Sequence, residues 1–445
     1  MLKKVTALFF ILGISLHLFA QNYPFNGPML GYNSPTETMF WIQTHQAAKV
    51  QYRYKPLVGT TDYQRSETFF TEQATAFTAK MLLKNLSPNT VYQYQVVLND
   101  SIIQTEKPFT FRTQPSDSLY DLKIITGSCS NINDKSLPTS SKRMIGQAWG
   151  YSIFERMAKR KPDYMVWLGD NIYLRNNEWS SAEGFNYRYT HTRSLKEMQP
   201  LLRATNHLAT WDDHDYGANN GDMTNKTKDL AAAAFQQFWA NPSTHPQNKG
   251  GIYFDYQVAD VHFFLTDDRF SRSPYTQANS KSKAFLGKEQ LDWLLKGLRE
   301  SNANFKLVCI GTQVLSDNQM AYAECYGKHY PTEWKYLMDK IAEYKINGVF
   351  FLSGDIHHSV MSKYQRPDCY PLYDLTVSAF TSFFNPFFAT ENGRKVQGTF
   401  YPFHNFAELS FTGNQENRKM IITLRSKQGW RIWRKIVPAS RLTFK

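Results

Sequence analysis

The sequence predicts an α/β protein: a layered domain around central β-sheets, preceded by a small all-β sandwich. Three observations carry that reading. Between residues 28 and 113, short stretches alternate apolar and polar residues at period two, with turn residues between them. Beyond residue 119, apolar runs of strand length alternate with stretches of helical spacing. Several of those later runs end on a carboxylate, imidazole or thiol, at the edge where open α/β sheets bind ligands.

The first twenty residues stand apart from both domains. Lys3 and Lys4 precede an apolar run from Val5 to Leu18, and Phe19-Ala20 comes before Gln21. That is the pattern of a cleaved secretory leader, with cutting expected after Ala20. The run is short for a membrane span. No cysteine follows it for lipid attachment, and no later stretch has the length and apolarity of a span. A periplasmic or secreted protein is expected. The net charge is +13, or +11 once Lys3 and Lys4 are lost (13 − 2). Lysine and arginine are scattered without an arm or tract, which argues against specific nucleic-acid binding and for general attraction to anionic material at the cell envelope. With 445 residues, 42% of them hydrophobic, the chain has enough apolar material for more than one core.

The sandwich is read at 24–114. Its strands are expected at 38–42, 50–54, 91–96 and 109–112, all short and alternating. The stretch Leu86-Ser-Pro-Asn-Thr-Val-Tyr92-Gln-Tyr94 resembles the leucine, proline and tyrosine corner of fibronectin-type-III-like domains. No chemistry is visible there, so packing or substrate shaping is its expected role. Gln114-Pro-Ser-Asp-Ser118 reads as a linker into a second domain at 119–445.

In that second domain, strands are expected at 122–125, 164–168, 207–211, 261–266, 305–310 and 349–352. Helices are expected at 145–160, at 290–298 and around Trp334, Leu337, Met338 and Ile341, where Pro331 marks the first turn. Another, at 226–241, reads as an insertion near the site. The Trp, Leu and Met stripes on these helices are core residues. Of four cysteines, Cys325 and Cys369 lie in polar, aromatic-rich sequence and are the expected disulfide of an exported chain. Cys309 sits in an apolar strand and reads as an inert buried thiol.

The strand ends carry the chemistry. Ile124-Ile-Thr-Gly-Ser-Cys129 leaves a thiol just past a buried strand. Met165-Val-Trp-Leu-Gly-Asp170-Asn171-Ile-Tyr173 supplies a carboxylate and, three residues on, a phenol. Trp211-Asp212-Asp213-His214-Asp215 is a dense acidic and imidazole cluster, and Asp267-Asp268-Arg269 sets carboxylates beside a guanidinium. Val349-Phe-Phe-Leu-Ser-Gly-Asp355-Ile-His357-His358 ends a fully apolar strand on two ligand types. Each piece has a bland reading. Gly-Asp after a strand is a common turn, a lone thiol or phenol is usually packing, and His358 reads as structural beside the better-spaced His357. Three carboxylates packed together, however, need a cation or protonation to coexist. Five such deposits on one sheet edge favour a metal site.

Gly-Asp-x-x-Tyr, Asp-His-Asp and Gly-Asp-x-His are similar to the blocks of calcineurin-like metallophosphoesterases. The ordered set Gly-Ser-Cys-Ser, Gly-Asp-Asn-Ile-Tyr, Trp-Asp-Asp-His-Asp, Asp-Asp-Arg-Phe-Ser-Arg, Leu-Gly-x-x-Gln-x-x-Trp-Leu and Gly-Asp-Ile-His-His resembles the alkaline phosphatase D (PhoD-like) family. That family joins an N-terminal sandwich to a metallophosphatase domain, so the resemblance covers nearly all of the mature chain. Asp268 stands where the family usually has threonine, and Asp215 where it often has glutamate or another residue.

The resemblance implies a phosphatase or phosphodiesterase with ferric iron beside calcium, zinc or another divalent ion being the alternative. Thiolate and phenolate suit Fe³⁺, and an oxygen-rich neighbourhood suits Ca²⁺. Carried over, Cys129, Asp170, Tyr173 and His357 form the iron side, with Asp170 bridging. Asp213 and Asp355 form the calcium side, with Asp212 and Asn171 as neighbours. A hydroxide activated by the two metals is expected to attack phosphorus in line. His214 is expected to hold a phosphoryl oxygen or protonate the leaving group, and Arg269 to clamp a non-bridging oxygen. Monoester and diester substrates, including phospholipids, stay open, as does a non-catalytic envelope binding protein. A monomer is expected.

Overall fold

The computed structural model describes residues 23–59, 62–134, 150–242, 250–318, 324–384 and 392–445. The expected leader and the first part of the helix expected at 145–160 lie outside them. Among the described residues, nine strands form the larger sheet. Their spatial order is Arg431–Pro438, Lys419–Ser426, Asn405–Thr412, Leu122–Gly127, Tyr164–Leu168, Asn206–Thr210, Phe25–Asn33, Thr38–Thr44 and Thr78–Leu83. A second sheet runs Phe254–Val258, Val261–Leu265, Phe305–Cys309, Val349–Ser353, Cys369–Thr376 and Val360–Arg366. The third belongs to the N-terminal region and centres on Ala48–Pro56 and Val91–Leu98.

Parallel pairing sets the layout of the two large sheets. Leu122–Gly127, Tyr164–Leu168 and Asn206–Thr210 are mutually parallel. So are Val261–Leu265, Phe305–Cys309, Val349–Ser353 and Cys369–Thr376. Buried on both faces, parallel strands read as continuous apolar runs, as Tyr164–Leu168 and Val349–Ser353 do. Between the sheets lies a core that includes Val166, Leu208, Phe263, Leu307 and Phe350. Each such side chain contributes about 1.5–3 kcal/mol of burial. Helices Lys288–Glu300 and Pro331–Glu343 add Leu294, Leu298, Met338 and Ile341 to this core, with proline in the first turn of the second. A second core, under helices Ile153–Lys159 and Lys228–Phe238, covers the outer face of the larger sheet through Trp167, Trp211, Phe154 and Phe235.

The N-terminal region is all-β, as the alternation predicts, with Phe40, Tyr52, Tyr94 and Phe111 interlocked at its centre. The Ser87 N–H donates to the Tyr92 hydroxyl at 2.8 Å, closing the corner that the Leu86–Tyr94 stretch resembles. Its strands Phe25–Asn33, Thr38–Thr44 and Thr78–Leu83 continue the large sheet, because Leu30 pairs in parallel with Asn206. Thr38–Thr44 is therefore covered on both faces: Phe40 and Ile42 enter the sandwich core, while Trp41 packs on Phe238 and donates to the Gln237 carbonyl at 3.1 Å.

The expected Cys325–Cys369 disulfide is absent, and all four cysteines are free buried thiols. Cys325 bridges to Gln313, whose amide donates to Thr376 at the end of a strand that Cys369 begins. A strand of that length separates the two sulfurs by on the order of 20 Å, far beyond disulfide reach. Cys309 is the buried thiol expected. No helix among the described residues is long and apolar enough to cross a membrane.

His207, wholly buried in its strand, gives a stability prediction. Its Nδ1 accepts the Trp167 indole N–H at 2.9 Å, leaving Nε2 to donate to the Leu201 carbonyl at 3.1 Å. Burial pushes its pKa from 6.5 down to about 3. The folded protein keeps the ring neutral while the unfolded chain takes up a proton, so this stability is present above pH 6.5 and lost as pH falls toward 3. Melting temperature is expected to drop across that window. In His207→Gln the decline is expected to be shallower, and an identical decline contradicts the assignment.

Candidate metal centre

Four loops leaving the carboxyl ends of the parallel strands meet at one place. Close backbone approach makes this possible: a Cβ at Gly354 would stand 2.6 Å from the Ser128 side chain and 2.8 Å from the Leu168 carbonyl oxygen. Only glycine lets these three loops touch. Cys129, Asp170, Asp355 and His357 have φ of 61°, 52°, 70° and 56°, a left-handed conformation that costs non-glycine residues energy. Four such residues in adjacent loops are strain held by the surrounding packing, as functional sites often require.

The ligand atoms fall into two groups that share one residue. Cys129, Asp170 and His357 offer sulfur, oxygen and nitrogen within 4.8 Å of one another, and Asp170, Asp213 and His214 offer two oxygens and a nitrogen within the same distance. Asp170 Oδ2 accepts from the Tyr173 hydroxyl at 2.8 Å and from Cys129 Sγ at 3.5 Å, while Oδ1 accepts from the His214 N–H at 3.2 Å. Tyr173 Oη also lies 3.2 Å from His357 Nε2. Cys129, Asp170, Tyr173, Asp213, His214 and His357 thus converge as expected.

The other expected residues line the surroundings. Asp355 directs its carbonyl at Cys129 Sγ, 3.2 Å away, and its carboxyl group feels Glu324 and Asp213 rather than joining either tight group. Asn171 donates to the Thr210 carbonyl at 2.8 Å. Asp212 is gripped by Arg269, whose Nε donates to Asp212 Oδ1 at 2.6 Å and whose Nη2 meets Glu324 at 2.8 Å. Arg269 is fully buried with its fork committed to those carboxylates, so the phosphate-clamp role expected for it does not fit. It holds Asp212 in place. His358 is buried against Phe400, in keeping with the structural role read for it.

Three positioning residues were not legible in the sequence or were underrated. Ser378 donates to Cys129 Sγ at 3.0 Å and accepts from the His357 N–H at 3.0 Å, tying the thiol loop to the imidazole loop. Glu324 pairs with both Arg269 and Arg272. Neither lies in a recognisable motif. Asp215, visible in the acidic cluster, accepts from the backbone N–H groups of Asn171, Ile172 and Asp212 at 3.0–3.3 Å. It therefore clamps the Asp170 loop to the Asp213 loop. Asp215→Asn turns an amide N–H toward those donors, and activity and metal affinity are expected to fall about 10–100-fold. Wild-type values for both would remove Asp215 from the centre's framework.

The electrostatics of the cluster favour a cation. Burial, then neighbouring Asp213, pushes Asp170 well above the usual carboxylate range, and burial followed by Glu324 does the same to Asp355. Burial, then Asp170, pushes the Cys129 thiol up. Burial and the adjacent His214 push His357 down to about 3, leaving a neutral imidazole. Anionic donors so crowded ionise together only beside a cation. In addition, Asn171 Oδ1, Asp212 Oδ2 and Asp213 Oδ1 are buried acceptors with no hydrogen-bond partner among the described residues. The residues present fit metal ions.

Comparison with known proteins links the chain to a family model and to solved structures of similar fold. The PhoD-like phosphatase family model matches residues 125–428, and a domain of unknown function, DUF7800, matches 25–116. Alkaline phosphatase D of Bacillus subtilis (strain 168) is 22% identical over 343 residues, 66% of this chain. That match takes in 56% of the relative, so the chain spans little more than half of its length. The solved structure of PhoD superposes with a TM-score of 0.72 at 17% identity, covering 92% of this chain and 88% of that one. Purple acid phosphatase PPD1 from yellow lupin (Lupinus luteus) seeds gives 0.67 at 11% identity, covering 93% and 74%. At those identities the two structures establish a shared fold.

Proposed function

The chain belongs to the PhoD-like phosphatase family, and from that membership we propose that it is an exported, metal-dependent phosphoester hydrolase. The observation that carries this is the sharing of Asp170 between the two ligand groups, so its carboxylate would serve both ions. Cys129, Tyr173 and His357 on one side of it are donors that suit ferric iron. Asp213, with Asp355 and Asp212 beside it, makes an oxygen-rich side that suits calcium. Ions held by these residues would supply a water of lowered pKa and positive charge against the phosphoryl oxygens.

The chain's own residues do the rest. His214 lies flat against Tyr173, ring centroids 4.2 Å apart, and is partly exposed where a leaving oxygen would emerge. Its imidazole supplies the proton that the leaving alcohol takes up. Arg269 and Glu324 keep Asp212 aimed at the centre, and Asp215 keeps the two loops in register. The leader-like first twenty residues support export.

The test is elemental analysis of the purified protein alongside hydrolysis of p-nitrophenyl phosphate and bis(p-nitrophenyl) phosphate. Two metal ions per chain and release of nitrophenol from at least one ester are expected. A metal-free protein that cleaves neither would favour a binding role instead.

A further inference from the structure

We propose that Phe383 and Phe403 form an aromatic subsite for the alcohol portion of the substrate, so that the centre prefers phosphoesters of aromatic alcohols. This rests on the phosphoester reading above and narrows it. Phe383 stands on His357, with ring centroids 4.3 Å apart at 87°, yet 45% of it is exposed. Phe403 is 52% exposed. Two large apolar side chains left open near a polar, charge-lined centre offer an apolar surface to the group carried on phosphorus.

Backbone contacts bring the segments carrying both rings together beside the thiol loop. The N–H groups of Thr381 and Ser382 donate to the Cys129 carbonyl at 3.2 Å each, so the segment ending in Phe383 is stapled to the thiol loop. The buried His404 ring bonds to the Ser382 carbonyl at 2.6 Å, which brings Phe403 to the same segment. Phe403 also packs on Phe384 at 5.3 Å and on Tyr401 at 5.5 Å. The segments that carry the rings are therefore anchored, and an aromatic surface gains most from a flat aromatic partner. A phosphoryl group held at the centre would lie beside His357, so the group on one of its oxygens could meet the ring of Phe383.

Equilibrium binding of two non-hydrolysable ligands to the metal-loaded protein tests this apart from catalysis. Benzylphosphonate carries a methylene in place of the ester oxygen of phenyl phosphate, and ethylphosphonate is the same replacement for methyl phosphate. Benzylphosphonate is expected to bind about tenfold more tightly. In Phe403→Ala, whose ring packs on Phe384 and Tyr401, that ratio is expected to fall toward unity, and likewise in Phe383→Ala. Equal affinities in the wild type, binding of neither ligand, or a ratio that survives both substitutions overturns the subsite. A wild type that shows the preference but hydrolyses no phosphoester keeps the subsite and sinks the hydrolase reading instead.

Discussion

Asp170→Ala is expected to abolish turnover, lowering kcat/KM by at least about 10⁴-fold even with metals supplied in excess. No other residue belongs to both ligand groups. Losing it removes the carboxylate that the proposed centre shares between its two ligand groups, and the acceptor that orders Cys129, Tyr173 and the His214 backbone. The fold itself is expected to survive. Without metal, Asp170 is a buried carboxyl crowded by Asp213, Asp215 and Asp355, so the metal-free variant should melt no lower than the metal-free wild type. Metal content and steady-state rates, measured together, check both halves. A fully active, metal-replete variant contradicts the assignment.

Arg269→Met has the opposite signature. Its guanidinium is fully buried between Asp212 and Glu324, with Asp268 at 3.8 Å. Removing it leaves carboxylates buried without their cation, a loss of about 3–5 kcal/mol of stability. Activity is expected to fall with it, because Asp212 loses the group that aims it. Arg269→Lys should rescue only in part, since a point charge cannot bond Asp212 and Glu324 in the directions a planar fork does. Thermal melting distinguishes this from the phosphate-clamp role. An Arg269→Met protein with wild-type stability and only a raised KM would restore the clamp.

Much of this architecture is legible in the sequence, for physical reasons that can be named. The strands Tyr164–Leu168 and Val349–Ser353 were visible because burial on both faces makes them apolar throughout. The ligand residues follow directly on such strands, so Cys129, Asp170, Asp213 and His357 could be picked out by position alone. The antiparallel strands Asn405–Thr412, Lys419–Ser426 and Arg431–Pro438 were not foreseen. Arg431–Pro438 is half exposed and rich in basic residues, which hides its alternation. Nor does alternation in Thr38–Thr44 reveal that its sheet runs on into the second domain, since pairing between Leu30 and Asn206 is a tertiary event.

The site was legible in its residue types but less so in their roles. Arg269 beside a carboxylate pattern suggests a substrate clamp, and only its burial and its partners show that it serves Asp212. Ser378 and Glu324 act through contacts with residues far away in the chain, which no local spacing encodes. Cys325 and Cys369 looked like a pair because both sit among polar residues, yet they occupy regions related to opposite ends of one strand.

The most direct test of the bridged metal centre is anomalous diffraction from crystals of the metal-loaded protein, recorded on both sides of the iron absorption edge. The expected result is an iron peak at bonding distance from Cys129 Sγ, Tyr173 Oη, His357 Nε2 and an Asp170 oxygen, with a second cation on the Asp213 side. An absent peak, or one located away from Asp170, would contradict it.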